Sequence, residues 1–167
     1  PTLLAAAGDS TVKEDLLEGK QVGDRNYKVH LDGYNLLPFL KGEEEVTPRR
    51  EFLYWTDDGN VAALRYNDWK IHFMIQKSHG VDVWSEPFTT VRMPMLMNLR
   101  MDPFERAWDE SIGYDKWALE RDFMIAPAGQ YVGQSLQSFK DIPPRQKPGS
   151  FNLSNVMDAI KKGAGDK

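Results

Sequence analysis

The sequence predicts a mixed α+β fold, a small antiparallel sheet of three to four strands packed with helices. Three observations point there. Residues 51–75 form runs of alternating and aromatic character broken by turn chemistry at Asp57-Asp58-Gly59-Asn60 and at Asn67-Asp68. From about residue 114 the apolar positions switch to helical spacing. The composition, 41% apolar and 28% charged, is ordinary for a globular chain. At 167 residues the chain suffices for one core and is short for two, so a single domain over 1–167 is expected.

Taken in order, Pro1 suits the first turn of a helix, Leu3 to Ala7 favour one, and Gly8 stops it. Two turns are too short to hold themselves, so residues 1–8 read as the end of a helix belonging to something upstream. A trimmed terminus or a short docked helix is the plainer alternative. Residues 9–26 are polar and glycine-bearing and read as a loop. The sheet region is expected over 27–102. It opens with a short strand at Tyr27–Leu31, after which Asn35 can cap a brief helix through Leu40, closed by Gly42. The acidic run Glu43-Glu44-Glu45 marks a solvated loop.

Glu51–Thr56, Val61–Tyr66 and Trp69–Ile75 are the clearest strands. In the third, Trp69, Ile71, Phe73 and Ile75 share one face, and Lys70, His72, Met74 and Gln76 share the other. Residues 77–94, with Gly80, Pro87 and Pro94, read as a surface loop. Met95–Asp102 alternates again and supplies a further strand. A helical region is expected over 114–162. Its first helix carries Tyr114, Trp117, Ala118, Arg121 and Ile125 and breaks at Pro127. A second places Tyr131, Val132, Ser135, Leu136 and Phe139 on one face and stops at Pro143-Pro144. The last aligns Leu153, Val156, Met157 and Ile160, with Ser150, Asn152 or Ser154 as caps.

Charge and composition exclude several function classes. A net charge of −4 without a basic stripe gives no footprint for nucleic acid. No apolar run approaches the roughly 20 residues that span a bilayer, and no signal peptide opens the sequence. The absence of cysteine removes disulfides, thiolate metal sites and a cysteine nucleophile.

Among residues able to carry chemistry, His72 and His79 are seven apart but separated by the end of a strand, and His30 is remote, so no ligand spacing emerges. Asp57 and Asp58 form a carboxylate pair suited to metal or acid–base work, yet neighbours in a hairpin point apart and the Asp-Gly step is turn chemistry. Gly129 and Gly133 fit close helix packing better than ligand contact, and Arg49-Arg50 beside three glutamates fits a solvated face. No nucleophile elbow, phosphate loop, calcium loop or zinc signature occurs. Of the five tryptophans, Trp55, Trp69 and Trp117 sit on periodic elements and are expected in the core. Trp108 and, in the 77–94 loop, Trp84 with His79 are the candidates for a pocket rim or domain contact.

Several segments together resemble a family. Pro1–Gly8 is similar to the stretch that follows the catalytic core of sulfatases. Leu31-Asp32-Gly33-Tyr34-Asn35-Leu36-Leu37-Pro38-Phe39-Leu40-Lys41-Gly42 resembles their "DG…LLP.L.G" stretch. Arg50–Trp55, Asp58-Gly59, Ala63–Tyr66 and Asp68–Ile71 resemble the C-terminal hairpin of arylsulfatases. Asn98-Leu99-Arg100-Met101-Asp102-Pro103-Phe104-Glu105 looks like their "NL..DP.E" motif, and Pro143–Pro148 with Ser150-Phe151 looks like the tail of one bacterial group. Each motif alone is weak, but together they run nearly end to end and in order.

The resemblance implies an alkaline-phosphatase-like α/β enzyme whose smaller C-terminal antiparallel sheet is this chain. The parent would hydrolyse sulfate esters with a formylglycine made in a C/S-x-P-x-R motif beside a calcium ion. That motif is absent: the nearest serine, Ser85, is followed by Glu86-Pro87-Phe88-Thr89. The resemblance therefore places no catalytic, cofactor-binding or metal residue here. It implies the catalytic sulfatase domain as partner, a periplasmic or secreted bacterial location, and residues 1–8 as the end of a core helix. On this reading the chain is an arylsulfatase C-terminal fragment, inactive alone, that completes the fold and helps shape a pocket rim. Its core-facing apolar surface would be exposed and open to homo-oligomerisation. The rival is a free-standing binding or interaction module built on the same α+β unit, and the third reading is a domain kept only for stability.

Overall fold

The computed structural model describes residues 1–150 and, beyond them, Leu153 and Met157. The architecture is α+β, with a four-stranded antiparallel sheet and a two-stranded one accompanied by short helices. The chain divides into two compact units, Pro1–Phe52 with Gly129–Pro143, and Leu53–Ala128 with the described residues from Pro144.

In the first unit, α1 (Thr2–Ala6) packs on α3 (Leu37–Leu40). The Thr2 hydroxyl donates to the Tyr34 carbonyl and accepts from Leu36 N–H, both at 3.0 Å. Leu36, not Asn35, is the N-cap of α3. Asn35 instead makes an Asx turn just ahead of it, accepting from Leu37 N–H at 3.0 Å, and Gly42 leaves the helix at φ 75°.

The stretch 9–26 is not a loop. It folds as α2 (Val12–Glu18) and a hairpin of β1 (Lys20–Val22) and β2 (Arg25–Tyr27). Val12 is buried, and Lys20 closes the segment by binding Asp9 at 2.5 Å and Asp15 at 3.0 Å. Gly23, at φ 59°, lets the chain reverse in two residues, which a side chain would resist. The strand expected at 27–31 is thus only the last residue of β2, because Val29 bonds back to Leu16 instead of a ladder partner.

From the rest of this unit, Tyr34 and Tyr131 both bond the Glu51 carboxylate. The Glu51 bond, with burial, pushes the Tyr34 phenol up to about 12, and burial with the Glu51 charge does the same to Tyr131. A raised phenol pKa favours the fold fully below pH 10 and is lost as pH climbs towards 12. Tyr34→Phe is expected to cost about 1 kcal/mol in urea unfolding at neutral pH and to remove one late step from the alkaline tyrosinate titration.

The second unit is built on β3 (Glu51–Trp55), β4 (Val61–Tyr66), β5 (Trp69–Ile75) and β6 (Thr89–Asn98), adjacent in that order. Gly59 at φ 80° and Asn67 at φ 52° make the two expected turns, conformations that glycine and asparagine tolerate. Leu64, Ile71 and Leu96 stand opposite one another across three strands and are buried. Trp69 extends this face, and α5 (Tyr114–Leu119) covers it. Trp117 stacks on Trp69 with centroids 5.8 Å apart, and the Tyr114 hydroxyl donates to the Leu96 carbonyl at 3.1 Å.

Several boundaries differ from expectation. Helix α5 stops at Leu119, short of Ile125, and the helix expected through Phe139 ends at Ser135, with Ser138–Asp141 a separate short helix. Strand β6 begins at Thr89, with Pro94 inside it. One step from His72 to Met74 on β5 spans five residues on β6, from Met95 to Thr90. Pro94 falls within that bulge on an edge strand, where its missing N–H breaks no ladder. The same strand stops at Asn98, not Asp102, because the Asn98 side chain accepts from Arg100 and Met101 N–H at 3.1 Å. Pro127 does not break a helix. It sits in the first turn of α6 (Ile125–Ser135), where its N–H has no helical partner to lose.

Short helices α4 (Ala107–Glu110) and α7 (Ser138–Asp141) complete the described elements. Gly129 and Gly133 face open space, so no close packing explains them. Trp55 is 41% exposed and lies outside the core. Leu153 and Met157 are helical and exposed; Asn152, Ser154, Val156 and Ile160 of the expected last helix lie outside the described residues.

Candidate functional site

The sheet face opposite α5 carries Ala63, His72 and Met95 in one cross-strand row and Arg65, Lys70 and Met97 in the next. Alternation puts Lys70 and His72 there together. The turn after β6 then brings a third charged group beneath them. The Asp102 carboxylate accepts from Ala107 N–H at 2.7 Å, Pro103 fixes its own φ, and Glu105 takes a left-handed φ of 56°, which costs a non-glycine residue about 1–2 kcal/mol.

That turn brings the Glu105 carboxylate to 2.6 Å from Lys70 Nζ and 2.5 Å from His72 Nε2. The Lys70, His72 and Glu105 side chains are only 13%, 18% and 25% exposed. Such a set is stable only if internally paired. Lys70 also lies over the Tyr54 ring, 4.4 Å from its centroid.

Burial pushes the His72 imidazole down, and the Lys70 charge adds to this against the opposing pull of Glu105. Burial alone would raise Glu105, but the hydrogen bonds from Lys70 and His72 outweigh it and hold the carboxyl below its ordinary value. The His72 ring meets the Glu105 carboxylate through Nε2 and also bonds the Met74 backbone, and both partners favour protons on the ring against the effect of burial. Within the cluster the Lys70 ammonium and the Glu105 carboxylate form an ion pair beside the ring.

Above it opens a hollow of about 320 Å³. Tyr54, Trp55, Phe88 and Trp108 supply aromatic walls, and Met74, Met95 and Met97 supply a flexible apolar floor around Lys70, His72, Glu105 and the Gln76 amide. No serine or threonine is among the lining residues, and Tyr54 carries their one hydroxyl. The arrangement suits recognition: an apolar recess with a few converging polar atoms. A second hollow of about 290 Å³ lies between the end of β6 and α5, lined by residues including Asn98, Ala107 and Trp117.

Of the residues singled out in the sequence, Trp108, Trp55 and His72 line the larger hollow and Trp84 and His79 do not. Trp84 ends a 3₁₀ turn at 89% exposure, and His79, just before that turn, is exposed. His30 contacts Asp32 at 3.1 Å on the surface. Asp57 and Asp58 form the expected turn, and Asp58 accepts from the backbone and hydroxyl of Ser150, both at 2.7 Å. The side-chain and backbone bonds from Ser150 hold Asp58 below its usual range. Arg49 is exposed and stacks over Phe52 at 4.7 Å.

Lys70, His72 and Glu105 were not singled out as a set, because Glu105 lies 33 residues beyond His72. The available signals were the shared strand face of the first two and the turn motif ending at Glu105. Among the described residues no group of three or more histidines, aspartates or glutamates gathers as a metal site. Glu105 is committed to Lys70 and His72. No described helix is long and apolar enough to cross a membrane. No protein-family model matches the chain, and no curated protein matches it.

Proposed function

We propose that this chain is the C-terminal structural unit of an arylsulfatase, packing against a catalytic domain that holds the sulfate-ester chemistry. The observation that carries the reading is where the family-like segments fall. The hairpin segments are strands β3, β4 and β5 with their turns. The Asn98–Glu105 segment ends β6 and delivers Glu105 to Lys70 and His72. The resembling residues are thus those that hold the sheet unit together, which suits a structural role.

The surface adds support. In the sheet unit Phe104 and Ile112 are left almost wholly in solvent, apolar surface that a larger body could cover. With the reading come the parent's formylglycine and calcium, both held outside this chain, and a periplasmic or secreted bacterial location.

The purified 167-residue chain is expected to give no turnover of nitrophenyl sulfate above buffer, with or without calcium. The reading frame that encodes it is expected to carry a C/S-x-P-x-R motif ahead of Pro1. Turnover by the chain alone, or a frame without that motif, would sink the proposal.

A further inference from the structure

We propose that the hollow over Lys70, His72 and Glu105 binds a neutral planar aromatic molecule bearing one hydroxyl, of the phenol or naphthol class. The inference rests on this hollow alone and stands or falls separately from the arylsulfatase reading.

Size comes first. At about 320 Å³ the hollow is at the small end of the range for ligand pockets, about 300–1,000 Å³, which suits one ring or two fused rings. Shape and surface follow. Tyr54, Phe88 and Trp108 present aromatic faces and edges, which pair with a flat π-system in offset or edge-on geometry. Met95 and Met97 beneath them are soft enough to adapt to a ring's outline.

Charge then selects among aromatic ligands. The ammonium and carboxylate already neutralise each other at 2.6 Å. A carboxylate or sulfate entering the hollow would be desolvated beside Glu105, and an ammonium ligand would be desolvated beside Lys70. Neither finds an uncompensated opposite charge, so both lose more hydration than they regain. A hydroxyl avoids that cost. It can donate to a Glu105 oxygen, whose two atoms have lone pairs beyond those used by Lys70 and His72, or accept one of the ammonium's three N–H groups. A bare hydrocarbon would fill the walls but forgo this bond.

The test is calorimetric titration of the full chain at pH 7.5 with 2-naphthol, 2-naphthoate and 2-naphthylmethylammonium. Saturable binding of one naphthol is expected, with each charged analogue at least about 10-fold weaker, the factor that 1.4 kcal/mol represents. Trp108→Ala and Phe88→Ala, both at partly exposed positions and checked for native circular dichroism, are expected to weaken naphthol about 5-fold or more. Trp84→Ala, outside the hollow, should leave binding unchanged. Absence of saturable naphthol binding, equal or tighter binding of either charged analogue, or indifference to both wall variants would overturn the proposal. So would sedimentation showing a dimer at the titration concentrations that naphthol does not dissociate, because a second copy would then occupy the face.

Discussion

Leu96→Ala is expected to lower the unfolding free energy by about 3 kcal/mol, among the largest effects of any single substitution in the sheet. Leu96 is 0% exposed on the edge strand β6, and it completes the row with Ile71 and Leu64. Truncation removes three buried carbons and leaves a cavity that the sheet backbone cannot collapse. Leucine-to-alanine changes at such sites cost about 2–5 kcal/mol for that reason. Tyr114 also bonds the Leu96 carbonyl, so a shift of the strand to fill the void would strain the α5 contact. Urea unfolding would show a lower midpoint at unchanged slope. A loss below about 1 kcal/mol would mean that this row is not the core.

Glu105→Gln is expected to cost about 2–3 kcal/mol, for an electrostatic reason. The substitution keeps the shape and leaves the Lys70 ammonium, only 13% exposed, without its anion. Removing one partner of a fully buried pair costs about 3–5 kcal/mol, and the partial exposure of this one reduces the figure. Replacing both charges, as Lys70→Met with Glu105→Leu, should recover most of the loss; a double change as damaging as the single one would refute the pairing argument.

The pH dependence separates the two titrating members. His72 is held below 6.5 in the fold, so the unfolded chain takes up a proton first and stability falls as pH drops from about 6.5 towards the folded value. Glu105 is held below 4.5, and its contribution is complete above that pH and lost on further acidification. In Glu105→Gln the more acidic limb should shrink, leaving the part that Glu51 and Asp58, also held below their ordinary values, contribute.

The parts of this structure legible in the sequence are those set by neighbours in the chain. Asp58-Gly59 and Asn67 announced their turns, and the alternation of 69–75 correctly assigned Lys70 and His72 to one side of β5. Proline was the main source of error. Pro94 and Pro127 look like breaks in the sequence, yet a bulge and a first helical turn are the two settings where a missing N–H matters least. The β1–β2 hairpin leaves no periodic signal, because Gly23 lies in a polar stretch whose ladder buries almost nothing. For the candidate site, the decisive partner was out of reach. The left-handed turn that aims Glu105 at β5 depends on Asp102 binding Ala107 N–H, and no periodicity encodes that.

The bulge around Pro94 has one more consequence. A sheet of four strands has two borders, and β6, ten residues long, is the longer of them. An uninterrupted border of that length would be a ready template for another chain to add its own strand and start a fibril. The Pro94 bulge divides the border into two short offset stretches, and the opposite border, β3, has only five residues. The same irregularity that hides the strand from a sequence reading thus guards the molecule against aggregation.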